Sequence, residues 1–300
     1  MKLPITAALL AASFAAAGEA PFSYPLRPTD VIGVADSTVG TMITPEGYLF
    51  TGWGEFVFLV GSPPRPVDQR LRRLVDGYLP AVEYDVEDNG IVFTFTAFAA
   101  TLDGKPTSNP INFVRVRAVN PTSRARHSNL AAGIRHIHTN DPRVAWRYRF
   151  RRPVAPDASV PYEKLPYEVR YYMDGEEFNP RWRYRAGRDW LERDGRALLM
   201  FAPGGETKVE SEIQPTTLAG TVRYEFKLAP GAGREFVFKM PTRPVRTDSA
   251  EFARVRAAEY SAVYDRPMNA WRALLNSGLS ISGGEKKVED TFRASLAYCY

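Results

Sequence analysis

The densest cluster of chemically useful side chains is YYMDGEEFNPRW, where Asp174, Glu176 and Glu177 share a turn with Tyr172, Phe178 and Trp182. Aromatic rings pack on the apolar faces of sugars, and carboxylates accept hydrogen bonds from sugar hydroxyls, so these residue types suit a sugar-binding loop. A hairpin turn flanked by core aromatics would be spelled in the same way, because Asp and Gly serve turns for backbone reasons. In TGWGEF, Trp53 stands between two glycines as a platform for a sugar ring, with Glu55 beside it as a hydrogen-bonding partner. Strand packing around a glycine bend is the plainer account of that stretch. The candidate substrate-binding residues are therefore Trp53, Glu55, Asp174, Glu176 and Trp182. Glycoside hydrolysis needs two carboxylates facing each other about 5 to 9.5 Å apart. Sequence spacing does not identify such a pair, so no catalytic residue is assigned.

Other patterns carry less. HIH puts His136 and His138 on one strand face, a spacing that can chelate a metal, but His127 is the only further histidine and Asp141 the only acid close by. No metal and no cofactor are expected. RVAWRYRFRR alternates Trp146, Tyr148 and Phe150 with Arg147, Arg149 and Arg151, as a half-buried strand does. Rings turned inward cannot stack on bases, so nucleic acid is not an expected partner, and an anionic polysaccharide is a better use for an arginine face. Neither a phosphate-binding Walker loop nor a G-x-S-x-G elbow, an H-E-x-x-H helix or a dinucleotide fingerprint occurs. Pro121 disqualifies Asn120-Pro121-Thr122 as a glycan acceptor.

The elements that must position these residues are mostly strands. From Val31 to about Met240 short alternating runs follow one another, broken by Pro and Gly turns. In DNGIVFTFTAF, Val92, Thr94 and Thr96 alternate with Phe93, Phe95 and Ala97 after the turn residues Asp88-Asn89-Gly90. In INFVRVRAVN, Phe113, Arg115 and Arg117 oppose Val114, Val116 and Ala118. VAWRYRF, YEVRYYM, ALLMFA, TVRYEFKL and REFVFKM continue the series. With no βαβ rhythm, the fold class is mainly β, a large antiparallel β-sandwich. VDQRLRRLVDGYLP reads equally as a short helix or as a loop closed by Gly77.

After Pro244 the composition changes. Thr247, Asp248 and Ser249 offer N-cap oxygens to AEFARVRAAEYSAVY, which Pro267 should end, and MNAWRALLNSG forms a second helix with Trp271, Leu274 and Leu275 on one face and Gly278 as its stop. The final VEDTFRASLAYCY places Val288, Phe292, Leu296 and Cys299 on one apolar stripe with no stop signal behind it. That stripe wants a partner, and the expectation is that the helical part continues beyond it.

The chain has 300 residues, 44% of them hydrophobic and 12% aromatic, enough for a substantial core. Residues 1–17 run from Lys2 through LPITAALLAASFAAA to a small-residue end, as an export leader does. Removing them takes the formal charge from +5 to +4, since Lys2 is their only charge. No segment approaches the length of a membrane span. The single cysteine, Cys299, has no bridging partner and is expected as a small buried hydrophobe. The organisation expected is a leader (1–17), an extension (18–30), a sandwich (31–245), a helical linker (246–284) and the start of a helical domain (285–300).

This order of pieces, with EFVFKMPTRPV, EYSAVYDRPMNAWRALLNSGLSI and VEDTFRASLAY, and with DGYLPAVEY and NFVRVRAVNP in support, resembles the N-terminal part of bacterial six-hairpin glycosidase-like proteins. The resemblance implies a β-supersandwich leading into an (α/α)6 barrel whose first helix is VEDTFRASLAY. It also implies that the acid and base carboxylates come from barrel loops beyond Tyr300. The expected protein is then the non-catalytic portion of an exported carbohydrate-active enzyme, periplasmic or extracellular, with a helical barrel and carbohydrate as its partners. A stand-alone secreted sandwich that binds polysaccharide or cell-surface material is the other reading.

Overall fold

Period-two alternation writes the strands, and a few left-handed residues set turns between them. The computed structural model describes residues 30–44, 46–51, 54–69, 71–135, 183–203, 207–212, 220–281 and 284–299. In chain order its first strands are β1 (Asp30–Gly33), β2 (Gly40–Ile43), β3 (Leu49–Phe50), β4 (Glu55–Val60), β5 (Arg65–Pro66), β6 (Arg73–Val75), β7 (Leu79–Asp88), β8 (Ile91–Ala100) and β9 (Ile111–Val119). Next come β10 (Arg126–Arg135), β11 (Tyr184–Ala186), β12 (Trp190–Arg193), β13 (Arg196–Phe201), β14 (Lys208–Glu212), β15 (Gly220–Leu228), β16 (Gly233–Pro241) and β17 (Val245–Arg246). The helices are α1 (Ala250–Ala257), α2 (Tyr260–Ser277) and α3 (Lys286–Ala297). The strands VAWRYRF and YEVRYYM, the HIH pair and the leader lie outside the described residues.

One sheet has the order β1-β2-β3-β4-β10-β15-β14 with β5 on β4; the other runs β11-β12-β13-β16-β9-β8-β7-β6 with β17 on β13. The ladders are antiparallel. Asn89 and Gly90 both take positive φ, 49° and 75°, as a two-residue hairpin between β7 and β8 requires.

The inner faces stack into a sandwich. Phe58 packs edge-on against Phe95 at 5.1 Å and Phe56 against Phe238 at 5.7 Å, while Tyr224 meets Phe236 at 4.8 Å. Each contact joins a strand of the first sheet to one of the second. Phe93 and Phe95 are buried there, as their alternation predicts, and Thr94 and Thr96 point the other way. Asn120 is fully buried: its Nδ2 donates to Arg124, Leu228 and Ala229 carbonyls, and its Oδ1 accepts from Thr122 N and Oγ1. One side chain thus ties the end of β9 to the turn before β10 and the end of β15.

The helices cover part of the outer face of the second sheet. Phe98 and Phe113 stack there at 5.3 Å and share a cluster with Phe252, Val255, Tyr260, Met268, Trp271 and Leu275. Of the three N-cap candidates Thr247, Asp248 and Ser249, it is Ser249 that caps α1, accepting from Phe252 N. Pro267 does not break the chain. The interruption falls at Ala258 and Glu259, and α2 runs through Pro267 because Val263, Met268, Trp271 and Leu275 bury a face on both sides of it. Gly278 is its C-cap. The VDQRLRRLVDGYLP segment forms β6 and a turn at Asp76 and Gly77, both with positive φ.

One expectation for the last helix fails. Cys299 is exposed, beyond the end of α3, with its Sγ donating to Ser295 O. The face α3 lays on the sandwich is Asp290, Arg293, Ala294 and Ala297. Arg293 sits 5.1 Å over the Tyr78 ring, Asp290 abuts Gly77, and Ala297 is buried. At 3.6 residues per turn this face is about 150° from the apolar stripe. Val288 is 53% exposed, Phe292 and Leu296 are half-buried, and Leu296 touches the helix-covered cluster only from the edge.

Candidate functional site

Of the residues singled out from sequence, Trp53, Asp174, Glu176, Glu177 and Trp182 lie outside the described residues. Glu55 opens β4 opposite Phe50 and is 2% exposed. Its corner of the sandwich is acidic. Burial raises the Glu46 carboxyl above its ordinary range, against hydrogen bonds from the backbone and from Thr44 Oγ1 at 3.0 Å; the charges of Glu55 and Asp68 push the same way as burial. The corner is knit into the fold through Arg72, which donates to Asp30 at 2.7 Å and to the Thr44 carbonyl at 2.6 Å. Among the described residues no three His, Cys, Asp or Glu side chains are grouped to hold a metal.

A more open arrangement occupies the outer face of the second sheet, beside the helices. Register builds it row by row. Ala81, Phe98, Phe113 and Lys239 form one row across β7, β8, β9 and β16, and α1 and α2 cover it. The next row is Glu83, Thr96, Arg115 and Val237; the one after is Asp85, Thr94, Arg117 and Glu235. Exposure rises along these rows, since Phe113 is buried, Arg115 half-buried and Arg117 exposed. The result is a polar ledge with a helix as its wall.

That wall is aromatic. Tyr260 and Tyr264 are one turn apart on α2, stack at 5.6 Å and each meet Phe98 edge-on, at 5.3 and 5.2 Å. The Arg115 guanidinium lies 4.8 Å over the Tyr260 ring, a cation–π contact that fixes it at the foot of the wall. Burial pushes both tyrosine hydroxyls upward, while the charge of Arg115 pulls down. Tyr260 is 8% exposed and its hydroxyl has no hydrogen-bond partner, nor has the buried Nε of Arg115.

The acids of the ledge are already engaged. Arg73 reaches Glu83 and, at 3.0 Å, Asp85; Thr96 donates to Glu83 at 3.2 Å and Thr94 to Asp85 at 2.6 Å. Burial alone would raise Asp85, but the hydrogen bonds from Thr94 and Arg73 hold it below its ordinary range. At the wall's outer side Arg272 is paired with Asp76 at 2.8 Å. The arrangement offers a rigid floor, an aromatic edge and preset polar groups, which is the equipment for holding a polyhydroxylated ring.

Alternation alone put Thr94 and Thr96 on the face opposite Phe93 and Phe95, and Arg115 and Arg117 on the face opposite Val114 and Val116. What it missed was Tyr260 and Tyr264, whose one-turn spacing was the available signal and whose partner strands lie some 150 residues earlier in the chain.

The fold and ledge define a β-sandwich protein with helices packed on one sheet. No family model matches the chain, and no curated protein matches it. Among solved structures it is similar to a polysaccharide lyase, at 10% identity and a TM-score of 0.26, over 71% of this chain and 32% of that one. The chain spans about a third of that structure's length, and likeness at this level assigns nothing by itself.

Proposed function

We propose that this chain is the non-catalytic sandwich portion of an exported, glycoside hydrolase-like protein that acts on carbohydrate together with a helical barrel. The single observation that carries the carbohydrate reading is the ledge, where a tyrosine wall and preset polar groups stand on paired strands of one sheet. The resemblance of residues 235–298 to the junction of six-hairpin glycosidase-like proteins supports the partnership with a barrel. So does α3, which meets the sandwich through its small and polar face and turns Val288 outward. On this reading the leader at residues 1–17 directs export, and the chain alone binds without turnover.

The second reading, a stand-alone secreted module binding polysaccharide, rests on Trp271, which is buried within the chain and donates to the Gly33 carbonyl at 3.3 Å. Affinity electrophoresis of the purified chain through gels carrying neutral and acidic polysaccharides tests what the two share. Retardation by at least one polymer, lost in Tyr264→Ala, is expected; free migration through all of them overturns both. The coding sequence beyond codon 300 separates them. A long open frame of helical hairpins supports the first and an immediate stop supports the second.

A further inference from the structure

We propose that the ledge selects acidic saccharides, with Arg115 and Arg117 receiving a sugar carboxylate and Tyr264 flanking the ring; this rests on the carbohydrate reading above and adds the substrate class. The argument is one of unmatched donors. Each of Glu83, Asp85 and Asp76 already has an arginine partner, and the first two have a threonine as well. Arg117 pairs with no acid among the described residues, although its cross-strand neighbour is Glu235. Arg115 likewise pairs with no acid among the described residues, and its guanidinium is set over the Tyr260 ring at 4.8 Å.

Two arginines on one strand face are thus left without an acid partner among the described residues, while Glu83 and Asp85 beside them are engaged by Arg73. Here the surplus is of donors, so the ligand must bring acceptors. A carboxylate offers two oxygens in one plane, which matches the guanidinium fork. Residues two apart on one strand face are about 7 Å apart at their Cα atoms, close enough for both arginines to reach one carboxylate or two on adjacent sugar units. Glu235, exposed beside Arg117, is placed to accept from a ring hydroxyl.

The probes are alginate, polygalacturonate and chondroitin, each beside its carboxyl-reduced counterpart, in affinity electrophoresis with the whole chain. At least one acidic polymer should retard the chain about tenfold more strongly than its reduced form, and added salt should weaken the effect. Arg117→Gln, on an exposed side chain, should cost about fivefold, and Arg115→Gln at least as much. If reduced polymers bind as well as acidic ones, or if the arginine variants keep the acid preference, the proposal is wrong and the carbohydrate reading survives. If no polymer of either kind retards the chain, both fall.

Discussion

At the scale of single residues, a few buried polar side chains organise the junctions. Asn120 donates to three carbonyls from two segments that lie far apart in the chain. Asn120→Ala should therefore cost about 1–3 kcal/mol, read from urea unfolding. Lys239 is 8% exposed and its Nζ donates to the Arg256 and Ala258 carbonyls at 2.6 and 2.9 Å, closing the end of α1. Burial lowers its pKa to about 8. A lysine depressed in the folded state leaves the unfolded chain holding more protons between pH 8 and its ordinary value near 10.5, so this residue makes stability rise with pH across that window. A neutral amine still has donors for both carbonyls. Unfolding midpoints at pH 7, 8, 9 and 10 should thus show a rise in the native chain that Lys239→Met flattens.

At the scale of elements, α3 shows how a helix can be held by the wrong face for its hydrophobic pattern. Gly77 has φ 84°, and a Cβ there would run into the Asp290 carboxylate. Gly77→Ala combines left-handed strain of about 1–2 kcal/mol with that collision. It should loosen α3 before the sandwich, seen as faster amide exchange confined to residues 286–297. Loss of protection throughout the sheets instead would show that α3 and the sandwich open as one unit. The stripe of Val288, Phe292, Leu296 and Cys299 was legible from spacing; which face would be buried was not. A stripe states only that a helix has an apolar side. The turn at Asp76–Tyr78 decides the docked face by offering a ring to Arg293 and a gap to Asp290.

For the whole molecule, the two sheets are joined by interlocked rings, and Phe238 touches Phe56, Phe58 and Tyr224 across the interface. Phe238→Ala should destabilise the fold by about 3–5 kcal/mol in equilibrium unfolding. The same layering sets the ledge, because every residue facing the rings in the core has a neighbour facing outward. Helices cover only part of that outer face, and what they leave open is the polar rows. Among the described residues no helix is long and apolar enough to cross a membrane.

The sequence by itself determined the β class, the turn at Asp88-Asn89-Gly90, the separation of Phe93 and Phe95 from Thr94 and Thr96 and of Arg115 and Arg117 from Val114 and Val116, the N-cap among Thr247, Asp248 and Ser249, and the stop at Gly278. Each of these is written in local spacing or local turn chemistry, which survives without knowledge of partners. Only the tertiary structure decided that α2 runs through Pro267, that Cys299 is exposed, that α3 docks by its polar face, and that Tyr260 and Tyr264 stand beside arginines on β9. These depend on contacts between residues far apart in the chain, where burial gained elsewhere outweighs local preference, and no local pattern records which distant surface will be offered.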